Sequence, residues 1–165
     1  MIERREEYLK EEYFKLQDQY EDYDARALQI KGWIGAGAFA GVALGLDTNA
    51  KEPALLWGTI IFITASFWYL EAKWKMFQYG IADRIRVIEA HFRGDKDCLI
   101  QDPDPLQIYN WWFSAYSKDK PIYEYERNFR PRSRLRRLFT AAFQTFVHLP
   151  YSLIIVACTI LFCRS

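Results

Sequence analysis

Residues 138–163 read LFTAAFQTFVHLPYSLIIVACTILFC, 26 positions without a charged side chain. About 20 predominantly apolar residues suffice for a helix to cross the hydrocarbon core of a bilayer. An uncharged run of this length is out of proportion to any core that a soluble chain of 165 residues could build around it. Its one histidine, His148, and its one proline, Pro150, are both tolerated in a spanning helix. The stretch predicts a C-terminal transmembrane helix over 138–163, and it tells us in which solvent the rest of the chain has to be read.

Two further runs carry no charge, Gly32–Leu46 and Pro53–Leu70. The second has 18 residues and sits at the lower edge of the spanning range. The first has 15, about 22 Å as a helix. It reaches further if Lys31 snorkels to the interface and Leu28 and Ile30 enter it. Only Asp47–Glu52 separates the two, so together they predict a transmembrane hairpin over 32–71. The charged fraction of 26% and the net charge of +1 would suit a soluble protein, but these averages hide how sharply the charges are segregated. The fold class is therefore all-α integral membrane. It comprises a cytoplasmic amphipathic helix over 1–31, the hairpin, a cytoplasmic helical region over 72–137 and the C-terminal transmembrane helix. The opening MIERREEYLKEEY has neither the apolar core nor the cleavage site of a signal peptide.

Charge at the membrane borders gives the orientation. Residues 71–137 hold 14 basic and 10 acidic side chains. The basic ones crowd both ends, at Lys73 and Lys75 and again from Arg130 to Arg137. Basic residues flanking a span stay cytoplasmic. The N-terminus and the middle region are thus expected inside an inner membrane, with Asp47–Glu52 outside. Trp33, Trp57, Trp68, Tyr69 and Trp74 fall where an aromatic belt belongs. The cluster Arg132, Arg134, Arg136 and Arg137 reads as a juxtamembrane patch for anionic lipid, at about 1 kcal/mol per charge.

Within this frame Ile2, Leu9, Tyr13, Leu16, Tyr20, Tyr23, Ala27 and Ile30 recur in steps of three and four, with one missing position at Glu6, the heptad seam of an amphipathic helix. Such a seam packs either on a second copy or on the protein's own helices. Residues 35–45, GAGAFAGVALG, place Gly37, Gly41 and Gly45 four apart, with Gly32, Ala36 and Ala40 extending the small-residue surface. Small residues let helix backbones approach closely in lipid, where no hydrophobic force drives association. Here too two partners are open, the second hairpin helix or a neighbouring subunit. Leu70, Trp74, Phe77, Ile81, Ile85, Ile88 and Phe92 carry the second helix from about Leu55 on to about Arg93, about 58 Å in all, with Gly94 as its stop. DKDCLIQDPDP at 95–105 lacks the glycine and closing glutamate of a calcium loop and reads as a solvated turn. LQIYNWWFSAYS predicts a short aromatic helix, and in IYEYERNF a strand competes with a helical turn.

Catalytic constellations are scarce. There is no Ser–His–Asp set, no phosphate-cradling glycine loop and no CxxC among the three cysteines, so neither a cofactor nor a metal is called for. His148 either packs between helices or lines a water path. Arg86 and His91, with four residues between them, match the R-x4-6-H pattern of HEPN ribonucleases. In that family histidine serves as base and arginine binds the RNA phosphate. The position after the arginine is Val87, where those nucleases usually carry a polar residue. We therefore expect no enzyme, with Arg86 and His91 as weak catalytic candidates.

Taken together, DYDARALQIKGW leading into a glycine-rich span, the hairpin, and Arg86 with His91 resemble the small membrane effectors of prokaryotic antiviral systems. Two groups are similar: the SLATT-like two-helix hairpin proteins and the pore-forming membrane accessory proteins of type VI-B CRISPR systems. The resemblance covers about residues 1–95, and the C-terminal span fits neither. It implies a homo-oligomeric pore that permeabilises or depolarises the inner membrane when a cytoplasmic protein or RNA triggers it. Gly37, Gly41 and Gly45 would then pack subunits or line the pore. The rivals are a non-enzymatic scaffold anchoring a cytoplasmic partner and a membrane-tethered ribonuclease.

Overall fold

A computed structural model of the chain describes residues 2–46, 52–96, 98, 100–116 and 134–164, and every element among them is a helix. The order is α1 (Ile2–Gly45), α2 (Pro53–Arg93), α3 (Ile108–Tyr116), α4 (Arg134–Ala142) and α5 (Thr145–Phe162). The heptad seam and the glycine-rich run share the single helix α1, because one Gly32 costs a helix only about 1 kcal/mol against alanine. Pro53 opens α2, where its fixed φ and missing N–H do no harm. Gly94, at φ +69°, closes it. The Gly94 N–H bonds to the His91 carbonyl and the Asp95 N–H to that of Ala90, the paired bonds of a Schellman cap. IYEYERNF and Arg132 lie outside the described residues.

One expectation is overturned. The uncharged run 138–163 is not a single helix: α4 stops at Ala142 and α5 starts at Thr145. Gln144 between them is extended, with φ −63° and ψ 137°. The break frees the Ala142 carbonyl, which accepts the Trp68 indole N–H at 2.9 Å. The apolar helix that remains, the 18-residue α5, is about 27 Å long, close to the roughly 30 Å of a bilayer core.

The chain divides into two compact units, Met1–Asp24 with Trp74–Arg137 and Ala25–Lys73 with Leu138–Ser165. In the first, α1 and α2 run antiparallel. Asp24 pairs with Lys75 at 3.2 Å, the Tyr20 carbonyl accepts from Gln78, and Tyr13 donates to Glu89. Leu9, Leu16, Ile81 and Ile88 form its core, with Tyr13, Tyr20, Tyr23, Ile85 and Ile108 packed around them. The seam of α1 is thus covered by the chain's own second helix. Val87, Ala90, Cys98 and Trp111 make a further cluster. Trp112 stacks on Phe77, ring centroids 5.0 Å apart.

In the second unit the balance is inverted. Phe39, Leu44, Leu55, Phe62, Leu153 and Val156 are among the large apolar side chains left open. The helices α1, α2 and α5 are each long and apolar enough to cross a membrane. Only 11% of the apolar window in α1 and α2, and 17% in α5, is buried within the chain. Exposed apolar surface of this extent marks a region that meets a membrane or a protein partner. Three hydroxyls in these helices bond to the preceding turn: Thr59 donates to the Leu55 carbonyl, Ser66 to that of Phe62 and Thr159 to that of Ile155. Polar groups entering hydrocarbon must find their partners in this way, within the protein.

Candidate functional site

Among the described residues, one fully buried charge pair organises the first unit and one largely buried pair the second. In the first unit the Glu12 carboxylate takes Arg84 Nε at 2.9 Å and Nη2 at 3.0 Å. It also accepts the backbone N–H groups of Leu106 at 2.7 Å and Gln107 at 3.2 Å. Arg84 Nη2 reaches the Asp104 carbonyl at 2.6 Å, and its guanidinium lies over the Trp111 ring. Both residues are nearly inaccessible, 3% and 1% exposed, so the carboxylate replaces most of its lost hydration with donors. Leu106 sits at φ 61°, a left-handed conformation that costs a non-glycine residue roughly 1–2 kcal/mol. The short bond from its N–H to Glu12 offsets that strain.

The second pair closes the charged end of the hairpin, where α1 and α2 are again antiparallel. Lys31 Nζ lies 2.7 Å from Glu71 Oε1 and donates to the Phe146 carbonyl at 2.8 Å. The Tyr151 hydroxyl donates to Glu71 Oε2 at 2.6 Å. The Phe146 carbonyl is open to Lys31 because the residue four positions on is Pro150, which has no N–H to offer it. One polar clasp therefore joins α1, α2 and α5. The Lys31 side chain is only 17% exposed, its ammonium held by a carboxylate and a freed carbonyl of the protein itself. Neither buried pair was singled out from the sequence, although a signal existed for both. Lys31 is the last charge before the first uncharged run and Glu71 the first after the second, so an antiparallel hairpin must bring them level. Glu12 falls between Leu9 and Leu16 at the seam spacing, and Arg84 falls likewise between Ile81 and Ile88.

The small-residue run of α1 turns out to have two sides. A Cβ on Gly41 would come 2.6 Å from Ile60 Cδ1, and one on Gly45 2.5 Å from the Trp57 ring, so these glycines seat α2. Ala38 is buried on the same side. Gly32, Ala36, Ala40 and Ala43 are exposed, and helical geometry sets them about 170° away, on the far side of α1. Gly37 lies between the two faces. Nothing stands within 4 Å of its missing Cβ, and it opens on a cleft of about 270 Å³ lined by Trp33, Ile34, Ile60, Ile63 and Phe67.

Arg86 and His91 do not converge. Five residues apart, they point about 140° from each other around α2. The exposed Arg86 pairs with Asp83 at 3.5 Å, while His91 Nδ1 lies 3.3 Å from the Gln101 carbonyl. His91→Ala and Arg86→Ala are expected to shift stability by no more than about 0.5 kcal/mol, checked by thermal unfolding in detergent. His148 Nδ1 is 3.0 Å from the Gln144 carbonyl one turn back, a bond made within its own segment. Of the basic cluster, Arg136 is exposed and Arg137 lies 3.9 Å from Asp83. Among the described residues no three His, Cys, Asp or Glu side chains gather in a way that could hold a metal. No protein-family model, curated protein or solved structure matches this chain.

Proposed function

We propose that the chain is a multi-pass inner-membrane protein that self-associates through α1 and permeabilises or depolarises the membrane when triggered from the cytoplasm, as an antiviral effector would. The observation that carries this reading is the outward face of Gly32, Ala36, Ala40 and Ala43. It is small enough for close backbone approach, and the hairpin leaves it uncovered because α2 is seated on the opposite face. The uncharged part of α1, Gly32–Leu46, is shorter than a bilayer core, so a ring of such helices would thin the membrane around it and lower the barrier to ions and water. The lysines at 73 and 75 and the arginines from 130 to 137 support an N-terminus and a first unit on the cytoplasmic side. There a protein or RNA trigger would meet the first unit.

Ala36→Leu combined with Ala40→Leu tests this. The doubly substituted protein is expected to keep its helix content. In nanodiscs its mass should fall from that of a closed ring to that of a monomer, and dye release from anionic vesicles should drop at least tenfold. A wild-type protein that is monomeric in nanodiscs, or a variant that still assembles, would reject the reading.

A non-enzymatic scaffold is the second reading, favoured by the exposure of Leu106 just before α3 and Tyr109 in its first turn, at 73% and 67%. It predicts that Tyr109→Ala abolishes capture of a cytoplasmic partner and leaves vesicle leakage unchanged.

A further inference from the structure

The clasp of Lys31, Glu71, Tyr151 and the Phe146 carbonyl has more the character of a latch than of a staple. Of the residues in α5, Val147, Tyr151 and Cys158 are buried, whereas Phe146, Leu149, Leu153, Val156, Ile160 and Phe162 are open. Apolar contacts that α5 gives up against the hairpin are recovered against lipid chains, so within a bilayer they hold it only weakly. The specific attachments are polar and gathered in its first two turns, at Phe146 and Tyr151. Towards its other end, a wide cleft of about 530 Å³ lies among Ala54, Leu55, Gly58, Thr59, Phe62 and Phe162. The hydrogen bonds described between α5 and the hairpin thus stand at its N-terminal end.

A buried ion pair gains little over its two separated, hydrated members, because the desolvation penalty offsets most of the attraction. Here separation is also short in distance. Lys31 borders the uncharged run of α1 on a flexible four-carbon stem, and Glu71 borders that of α2, followed two residues on by Lys73. Either charge reaches an interface by changing rotamers. Two arrangements of nearly equal free energy with distinct positions for one helix are what a switch needs.

We propose that this clasp is a releasable latch: with Lys31 and Glu71 joined, α5 is held against the hairpin, and with them parted, α5 swings away and uncovers the hairpin surface that it occupied. The proposal rests on the permeabilising reading for its purpose, since release of α5 would be the step that exposes new surface for the conducting assembly. Its geometry rests on the clasp alone.

The test places nitroxide labels at two exposed positions, Phe62→Cys on α2 and Leu153→Cys on α5, in a Cys163→Ser background. Their separation is measured by pulsed electron resonance in nanodiscs. The parent protein is expected to give one narrow distance. Lys31→Met and Glu71→Gln should each broaden it towards longer values, Tyr151→Phe should do so partially, and Lys31→Arg should keep the narrow distribution. Helix content and assembly mass, read on the same samples, show whether a variant still folds. If Lys31→Met does not, Tyr151→Phe carries the decision. An unchanged narrow distance in every folded variant overturns the latch. Vesicle leakage, read separately, tells the two proposals apart. A widened distance without leakage leaves the latch standing and removes the pore, whereas leakage with an unmoved α5 removes the latch and leaves the pore.

Discussion

Arg84→Met is expected to destabilise the first unit by about 3–5 kcal/mol, because it leaves the Glu12 carboxylate buried without its counter-charge. Glu12 would keep only the Leu106 and Gln107 N–H groups, and the Asp104 carbonyl would lose its donor. The same change made together with Glu12→Gln should recover part of the loss, since the uncompensated charge is then gone. Glu12→Ala should be as damaging as Arg84→Met for a different reason. It strands two backbone donors at the start of α3 and removes the bond that holds Leu106 in its left-handed conformation. Hydrogen exchange separates these effects from damage to the spans. Protection should fall at Leu9, Leu16, Ile81 and Ile88, and should be kept at Trp57 and Thr64. Full protection of the first set in Arg84→Met would show that the pair contributes nothing net.

Gly45→Leu is expected to be the most damaging single change in the hairpin. The new side chain must enter space held by the Trp57 indole, a rigid ring that is itself only 2% exposed. Overpacking of a closed site costs typically about 1–3 kcal/mol, and a ring that cannot change shape puts Gly45 at the top of that range. Gly41→Leu should cost less, since its nearest neighbour is the terminal methyl of Ile60, which can turn aside. Gly37→Ala should be harmless or mildly stabilising, because nothing occupies the space and alanine is the better helix former by up to about 1 kcal/mol. Unfolding in mixed micelles, followed by Trp57 fluorescence against a Trp57→Phe control, gives the order. Equal effects at 37, 41 and 45 would contradict the inward and open faces described for α1.

These orderings also mark how far the sequence could be read. The long second helix and its end were legible, because charge segregation and Gly94 each act locally. The aromatic helix α3 was legible for the same reason. The break between α4 and α5 was not: Phe143, Gln144 and Thr145 are unremarkable in a helix, and what compensates the interruption is a distant indole, Trp68. Partner choice was equally hidden. The seam at 2–30 and the glycines at 41 and 45 could each have served a second copy, and both are taken up by α2. Periodicity says that a face is buried but not by what. Arg86 and His91 match a motif, whereas Arg84, two positions away, matches none and interrupts an apolar stripe. Reading Glu12 and Arg84 as opposite charges at equivalent places in two stripes would have found the pair.

That pair settles something the hydrophobic seam leaves undecided. Slide α1 along α2 by seven residues and the stripe hardly notices. Leu9 gives way to Ile2 or Leu16, and Leu16 to Leu9 or Tyr23, all acceptable in the same holes. The apolar interface has nearly the symmetry of a ruler with identical marks. Glu12 removes that symmetry, for a slide in one direction sets Arg5 against Arg84, like charge on like, and in the other offers only Gln19. Glu12 thus marks the zero of the scale from within the apolar seam, as Asp24 opposite Lys75 does at its edge, and with it which residues of the first turns of α1 stand beside the loop that leads into α3.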